Sequence, residues 1–258
     1  MVGRPKVGKT TFAASFPKPI FLCTENGIAN VVGITPIPIS SWSDFKQVVT
    51  QLCLPKGRQS FDTVVIDSMT NLLLLLDKYA GSKLTTEKNS LDWGSDADYG
   101  KGNKTMRSEL GFQLQRLTNQ GYTVINIVHA EDKTDFDTGR SYIGTSLPNA
   151  IYGTLEKFVD MTVYLDRRED KKTHEIDYLI HFNPKCGFAG TGGRFTPKVD
   201  SVSTDYKEFE KAMLEAIDER SSEIGATTAV VEEEQSVPVQ IETESHYVLK
   251  DQKAEFDN

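Results

Sequence analysis

The sequence predicts an α/β fold in which a mainly parallel β-sheet is flanked by helices. Three observations support this fold class. A phosphate-binding loop motif occupies residues 3–10, and one predicted strand ends in a carboxylate at Asp67. Apolar segments typical of buried strands also alternate with amphipathic helical segments. Two further strand-like segments, joined by the charged turn RREDKKT, predict an antiparallel hairpin at an edge of the sheet.

Residues 3–10 carry the clearest functional pattern in the chain. They read GRPKVGKT and match G-x-x-x-x-G-K-[ST], the phosphate-binding loop known as Walker A. In such a loop the backbone N–H groups surround the phosphates, the lysine reaches the β- and γ-phosphates, and the hydroxyl ligates Mg²⁺. The motif predicts a nucleoside triphosphate site, and a glycine-containing turn before an ordinary helix is the alternative. The residues expected to contact nucleotide are Gly3, Arg4, Pro5, Lys6, Val7, Gly8, Lys9, Thr10 and Thr11.

The position of this loop is unusual. A phosphate-binding loop follows a β-strand, whereas only Met1 and Val2 precede Gly3. We therefore expect the first strand to be missing or truncated, or to survive as a remnant at Met1 and Val2. Its absence would leave both neighbouring strands unpaired.

Hydrophobic periodicity and local stop signals predict the remaining elements. Buried strands are expected at 19–24, 61–67 and 122–128, and the two strands of the hairpin at 158–165 and 175–182. Helices are expected at 9–16, from Ser41 or Ser43 to before Pro55, through the leucines 72–76, at 104–119 and at 205–220. Segments 81–103 and 130–156 are long and polar, so they are predicted to be irregular.

Composition and charge divide the chain of 258 residues into two parts. Residues 1–220 can form one large α/β core, whereas 221–258 hold nine acidic side chains against two lysines. We therefore expect an acidic, disordered tail from 221 to 258. Three isolated cysteines, Cys23, Cys53 and Cys186, are typical of free thiols in a reducing cytoplasm. The apolar run 72–76 is too short to span a membrane, and we expect no membrane partner.

Two carboxylates follow predicted strands at the edge where α/β sheets bind ligands. Asp67 ends the strand VVID and is placed to hold the water shell of Mg²⁺, as a Walker B aspartate does. Capping of the next helix is the alternative for Asp67, although Ser68 is the better cap. Glu25 follows the strand before it and is placed to act as the base for an attacking water. A surface glutamate without a role is the alternative for Glu25.

Longer segments carry a resemblance to a known family. They are GRPKVGKTTFAASFPKPIFLCTENG, FDTVVIDSMTNL, DYGKGN and TVINIVHAEDK, within about residues 1–200. Through them the chain resembles the RecA-like ATPases of phages and their hosts, and most closely the phage single-strand-annealing ATPases. The resemblance implies that Glu25 activates water, that Asp67 is the Walker B carboxylate, and that His129 senses the γ-phosphate and couples it to DNA-binding loops. A structural histidine at a strand end is the alternative for His129.

The resemblance also implies that the two irregular segments face single-stranded DNA. The first segment and the start of the next helix supply the candidate contacts Tyr99, Lys101 and Lys104, with Arg107 one turn into that helix. The second segment supplies Lys133, Arg140 and Tyr142. Basic side chains can pair with phosphates while an aromatic ring stacks on a base. Six aspartates in the same segments oppose a strongly basic surface, so two mobile polar loops are the alternative.

Lys185 and Arg194 lie on a glycine-rich segment after the last predicted strand. In RecA-like assemblies a basic group of a neighbouring subunit reaches the γ-phosphate, as arginine fingers do elsewhere. The resemblance therefore implies a homo-oligomer, either a ring or a filament, in which these two residues act catalytically. Solvated basic groups on a glycine-rich turn are the alternative.

The residues thus predict a protein that binds a nucleoside triphosphate and Mg²⁺. The resemblance adds ATP as the nucleotide and DNA-stimulated hydrolysis in phage recombination or annealing, in the cytoplasm of a bacterial host. A single-strand-binding protein is a candidate partner. Two other classes stay open: a small-molecule or nucleotide kinase, and a non-hydrolysing accessory protein that resembles a helicase loader. The guanine signature [NT]-K-x-D is absent, since Asn103-Lys104-Thr105-Met106 fails at its last position, and this disfavours a GTPase.

Overall fold

The computed structural model describes residues 1–25, 34–84, 97–135, 137–169, 171 and 173–224. The helices are α1 (Lys9–Ala14), α2 (Trp42–Leu52), α3 (Pro55–Ser60), α4 (Met69–Leu84), α5 (Ala97–Asn119), α6 (Asn149–Leu155) and α7 (Tyr206–Ile224). The strands are β1 (Val2–Gly3), β2 (Pro19–Cys23), β3 (Thr35–Pro38), β4 (Thr63–Asp67), β5 (Thr123–Asn126), β6 (Val128–Thr134), β7 (Ser141–Thr145), β8 (Met161–Thr162), β9 (Tyr164–Glu169), β10 (Ile176–His181), β11 (Gly192–Gly193) and β12 (Ser201–Ser203).

The centre of the molecule is parallel sheet. One sheet has the order β3-β2-β4-β5 and is parallel throughout, and a second has the order β12-β10-β9-β1-β6-β7. The two are joined at Ile127, whose N–H donates to the carbonyl of Ile66 at 3.0 Å, while the next N–H donates to the carbonyl of Met1 at 3.0 Å. The continuous segment formed by β5, Ile127 and β6 therefore lies between β4 and β1. This insertion separates β4, which ends at Asp67, from β1, which precedes the phosphate loop.

The first strand is present as two residues, Val2 and Gly3. Val2 pairs in parallel with Val128 of β6 on one side and with Tyr164 of β9 on the other. The strand thus includes Val2, one of the two residues named as a possible remnant, together with Gly3 of the loop motif. Gly3 is required here, because a Cβ at that position would lie 2.8 Å from the carbonyl oxygen of Leu165.

Helices cover both faces of the sheet, and the side chains of β2 alternate between them, as the period of a strand requires. Ile20 and Leu22 pack in the large core shared with α2, α4 and α5. Phe21 and Cys23 pack on the opposite face with Ala13 of α1. On that same side of the molecule, Phe12 packs with Ala212 of α7 and with β9 and β10. The predicted stripe on α5, namely Met106, Leu110, Leu114 and Leu117, is buried.

Several predicted boundaries were wrong. Pro55 begins the short helix α3 instead of only ending a helix, because proline fits the first turn. Helix α5 begins at Ala97, within the segment predicted as irregular. Most of the segment 130–156 is also ordered, as β6, the antiparallel strand β7 and α6. The predicted hairpin exists as β9 and β10, but β12 pairs outside it and forms the edge.

The closing helix is longer than predicted and runs to Ile224. Its buried side chains are Ala212 and Ala216. The predicted acidic tail otherwise falls at 225–258, outside the described residues. Within the described part of the chain, none of the helices combines the length and the apolar character needed to cross a bilayer.

Candidate nucleotide site

The phosphate loop joins β1 to α1 at the edge where the parallel strands end. Gly8 has a φ of 84°, in the left-handed region that favours glycine, and it immediately precedes α1. A cavity of about 730 Å³ opens above the loop. Its lining includes the loop and helix residues Pro5, Lys6, Gly8, Lys9, Thr10, Thr11, Phe12 and Ser15, together with Glu25, Asp67, His129, Tyr178 and Thr204.

Lys9 is held inside the loop. Its Nζ donates to the carbonyls of Gly3 at 2.8 Å and Arg4 at 2.7 Å, and the residue is only 6% exposed. Burial lowers the pKa of Lys9 to about 8, although the charges of Asp67 and Glu25 oppose that change. A triphosphate at this position would supply the negative charge that the buried ammonium group lacks.

Thr10 of α1 and Asp67, the last residue of β4, are in direct contact. The Thr10 hydroxyl donates to Oδ2 of Asp67 at 2.7 Å, and Asp67 is 5% exposed. Burial raises the pKa of this carboxyl above its usual value, while the Thr10 hydrogen bond acts in the opposite direction. A hydroxyl and a carboxylate side by side at a phosphate loop are the oxygen ligands that Mg²⁺ uses there. The residues present therefore fit a Mg²⁺ ion bound with the nucleotide.

Glu25 lies next to this pair, at the end of β2. Its Oε1 accepts the Ser68 hydroxyl at 2.5 Å and lies 3.1 Å from Nε2 of His129. Burial on its own would raise the pKa of Glu25, but the hydrogen bonds from Ser68 and His129 outweigh burial and hold the pKa below its usual value. Glu25 is thus a carboxylate at neutral pH, as a general base must be before it takes a proton.

His129 stands between the phosphate loop and Glu25 because β6 is inserted between β4 and β1. Its Nε2 faces Glu25, whereas Nδ1 is buried and has no hydrogen-bond partner among the described residues. With a proton on Nε2, the ring donates to Oε1 of Glu25. His129 therefore contacts Glu25 directly and lines the same cavity.

Arg4 leaves the loop in another direction. Its guanidinium forms a two-pronged ion pair with Asp132 of β6, at 3.0 and 2.6 Å. Gly3 and Val7 likewise do not line the cavity, since Gly3 belongs to β1 and Val7 packs in the core beside Leu165. Of the nine predicted contact residues, six line the cavity: Pro5, Lys6, Gly8, Lys9, Thr10 and Thr11.

The predicted DNA contacts lie outside the cavity and, apart from Arg140, on regular elements. Tyr99, Lys101, Lys104 and Arg107 are on α5, and the last three are exposed. The side chain of Tyr99 lies outside the described residues. Lys133 is on β6, Arg140 is in the turn that follows and Tyr142 is on β7. The predicted irregular structure was wrong for Tyr99 and Lys101, which are on α5, and for Lys133 and Tyr142, whose strands pair through five residues each. Arg140 lies outside regular elements, and Arg107 lies in a helix, both as predicted.

Lys185 and Arg194 are exposed and bound to carboxylates of the same chain. Lys185 pairs with Asp200 at 2.9 Å, and Arg194 pairs with Asp160 at 3.2 Å. Neither lines the cavity within this chain.

Sequence reasoning missed Tyr178 and Thr204 as part of the site. Tyr178 is on β10, where its ring carbon Cδ1 would lie 3.7 Å from a Cβ at Gly8. Thr204 follows β12, and its N–H donates to the carbonyl of Tyr178 at 3.2 Å. The available signal was an aromatic residue in a predicted strand, which does not reveal that β10 lies two places from β1.

A parallel sheet with a phosphate loop after β1 and an aspartate at the end of β4 is typical of a P-loop ATPase. Comparison with known proteins agrees with this class. The chain belongs to the AAA_24 family, described as an AAA domain, whose family model matches residues 1–192. It is also similar to the SPbeta prophage-derived uncharacterized protein YorG of Bacillus subtilis (strain 168). The two are 29% identical over 249 residues, which cover 90% of this chain and 70% of that protein. These findings support a P-loop ATPase of phage type.

Proposed function

We propose that this chain is a RecA-like ATPase that hydrolyses ATP with Mg²⁺ and acts on single-stranded DNA in phage recombination or annealing. The observation that carries the proposal is the meeting of Lys9, Thr10, Asp67, Glu25 and His129 around one cavity of about 730 Å³. A phosphate loop alone supports nucleotide binding. A hydrogen-bonded carboxylate in the same cavity supports hydrolysis as well.

These residues of the cavity have separate roles in the proposed hydrolysis of ATP. Lys9 and the loop N–H groups bind the β- and γ-phosphates, and Thr10 with Asp67 would hold Mg²⁺. The ion, when bound, neutralises charge on the β- and γ-oxygens. Glu25 takes a proton from water as the water oxygen bonds to the γ-phosphorus and the bond to the ADP oxygen breaks. His129, which touches Glu25, is placed to respond when the γ-phosphate leaves.

The DNA and assembly parts of the proposal depend on the resemblance and on the position of the hairpin. Strand β6 runs from His129 into the hairpin that bears Lys133, Arg140 and Tyr142. A nucleotide sensor and a candidate DNA surface thus share one strand. We assign the protein to a homo-oligomer in the host cytoplasm, with Lys185 or Arg194 serving the site of a neighbour.

The test is steady-state ATP turnover with Mg²⁺, measured with and without single-stranded DNA. We expect DNA to increase turnover. Equal turnover in both conditions would contradict action on DNA, and turnover that requires a small-molecule acceptor would indicate a kinase. Binding of ATP without any turnover would indicate the non-hydrolysing accessory class.

Two variants check that the turnover comes from this site. Lys9→Ala should abolish ATP binding, because the buried ammonium group of Lys9 supplies the positive charge with which the loop binds the phosphates. Lys18→Ala is the matched control, since Lys18 is exposed and pairs with Asp62 at 3.2 Å, away from the cavity. Turnover that survives Lys9→Ala would refute the assignment of the site.

A further inference from the structure

Ser68 lies between the two carboxylates of the site. It follows Asp67 directly, is 0% exposed, and its hydroxyl donates to Oε1 of Glu25 at 2.5 Å. The same hydroxyl oxygen accepts the backbone N–H of Asn71 from α4 at 3.4 Å. Because the acceptor side of this hydroxyl faces the helix, its single hydrogen is directed to Glu25.

Backbone contacts fix Ser68 relative to β2. The Thr24 hydroxyl oxygen accepts the N–H of Ser68 and donates to the carbonyl of Ser68, both at 3.0 Å. The N–H of Thr24 donates to the carbonyl of Asp67 at 2.9 Å. These contacts join the ends of β2 and β4. The separation between Ser68 and Glu25, the residue after Thr24, is therefore set by the hydroxyl and the N–H of Thr24.

The two oxygens of Glu25 are in different situations. Oε1 contacts both Ser68 and His129. For Oε2, the described residues supply no hydrogen-bond partner. A carboxylate held through one oxygen keeps a defined orientation and leaves the second oxygen available to a reacting water.

We infer that Ser68 is a positioning residue for ATP hydrolysis: it holds Oε1 of Glu25, so that Oε2 takes the proton of the attacking water. This inference rests on the proposed function, because it assigns a role within that reaction. Ser68 itself touches no reacting atom. It acts only through Glu25.

The charged groups around Glu25 determine how it should respond to loss of this hydrogen bond. Lys9 of α1 and His129 of β6 favour the carboxylate, whereas Asp67 of β4 repels it. Partial burial also disfavours the charged form. Removing the Ser68 hydroxyl withdraws one favourable contact and leaves the others in place, so Glu25 should hold its proton to higher pH.

The first experiment titrates Glu25 directly, and it does not depend on turnover. Protein labelled with ¹³C at the glutamate carboxyl is followed by NMR against pH, and Glu25→Gln identifies the resonance. In Ser68→Ala we expect the Glu25 midpoint at a pH about one unit higher than in the wild type. Ser68→Thr, which keeps a hydroxyl, should restore the wild-type midpoint. The same midpoint in Ser68→Ala and wild type would overturn the inference.

The second experiment measures turnover against pH. In Ser68→Ala the acid limb of kcat should move to higher pH, and the plateau should fall about tenfold because the base is less well oriented. The ATP Kd should stay within about twofold, since the phosphate contacts are unchanged. In a Glu25→Gln background the same change should add no further loss. A fall in kcat without movement of the acid limb would mean a merely structural role.

The outcomes separate the inference from the proposed function. If the wild type shows no ATP turnover with or without DNA, the proposed function fails, and the NMR midpoint still decides whether Ser68 controls Glu25. If Ser68→Ala does not fold, Ser68→Cys replaces it, because the thiol is a weaker donor of similar shape and the expected direction is the same. A wild-type midpoint in that variant would also overturn the inference.

Discussion

Tyr178 stands on the opposite side of β1 from Glu25. Strand β10 lies two places from β1 in one direction, while β2 lies beyond β6 and β4 in the other. The ring borders Gly8 and is 37% exposed, so one face is open to the cavity. An aromatic face beside a phosphate loop can stack on the base of a bound nucleotide.

We therefore expect Tyr178→Ala to raise the KM for ATP about tenfold, since stacking of a base on an aromatic ring contributes roughly 1–3 kcal/mol. The kcat should change little, because Glu25 and Lys9 are untouched. Steady-state kinetics over a range of ATP concentrations checks this. Tyr178→Phe keeps the ring and is the matched control. Equal KM values in all three proteins would exclude stacking.

Residues that belong to local patterns were predictable from the sequence. Lys9 and Thr10 are fixed by the loop motif, and Asp67 and Glu25 by their places at strand ends, and the structure brings all four to one cavity. Tyr178 and the contact between Ser68 and Glu25 depend on which strands are neighbours. The order of the strands in the sheet is not encoded by any short spacing in the sequence. These contacts could therefore be identified only from the folded structure.

Among the secondary-structure elements, the hairpin of β6 and β7 links the nucleotide site to the candidate DNA surface. His129 is near its start, and Lys133 is four residues further along the same strand, with its Nζ 3.4 Å from Glu131. Arg140 is exposed in the turn region before β7. The hairpin thus carries both His129, which contacts Glu25, and the two basic groups Lys133 and Arg140.

If the hairpin contacts DNA, Lys133→Ala and Arg140→Ala should each weaken binding of single strands without sequence preference. Each lost phosphate contact should also reduce the slope of log K against log salt by about 0.7. Fluorescence anisotropy with a labelled oligonucleotide at several salt concentrations measures both effects. Lys171→Ala, an exposed lysine on the β9–β10 hairpin, is the control. Unchanged affinity and slope in both hairpin variants would remove this element from the DNA surface.

The predicted helices and strands agree with the structure where the pattern of apolar residues is regular and those residues are buried. Strands β2 and β4 and the apolar stripe of α5 are of that kind, because every residue or every third to fourth residue is apolar. The hairpin of β6 and β7 was missed since its residues are mostly exposed, polar and rich in aspartate. Its order comes from cross-strand pairing, which a polar composition does not reveal.

At the scale of the whole molecule, the amino terminus affects stability. In the polypeptide that begins at Met1, the α-amino group is buried and donates to the carbonyl of Asn126 at 3.0 Å. Burial, helped by the charge of Lys9, lowers the pKa of this group to about 5 from 8.0. Between these values the unfolded chain binds more protons than the folded chain. The free energy of unfolding should therefore rise with pH, by at most about 1.4 kcal/mol per pH unit from this group.

Urea unfolding across that pH range measures the effect. Because His181 is also buried with a lowered pKa and contributes in the same direction, the free protein has to be compared with a form acetylated at Met1. Acetylation removes the ionising group, so the acetylated protein should show a smaller slope and greater stability near pH 5. Identical slopes in the two forms would show that the amino group is hydrated in solution.

The ion pair between Arg4 and Asp132 has a thermodynamic consequence. It fastens the backbone that receives phosphate to the strand that leads into the hairpin. If bound nucleotide changes the affinity of the hairpin for DNA, thermodynamic linkage makes the effect reciprocal. The factor by which nucleotide raises the affinity for DNA then equals the factor by which DNA raises the affinity for nucleotide.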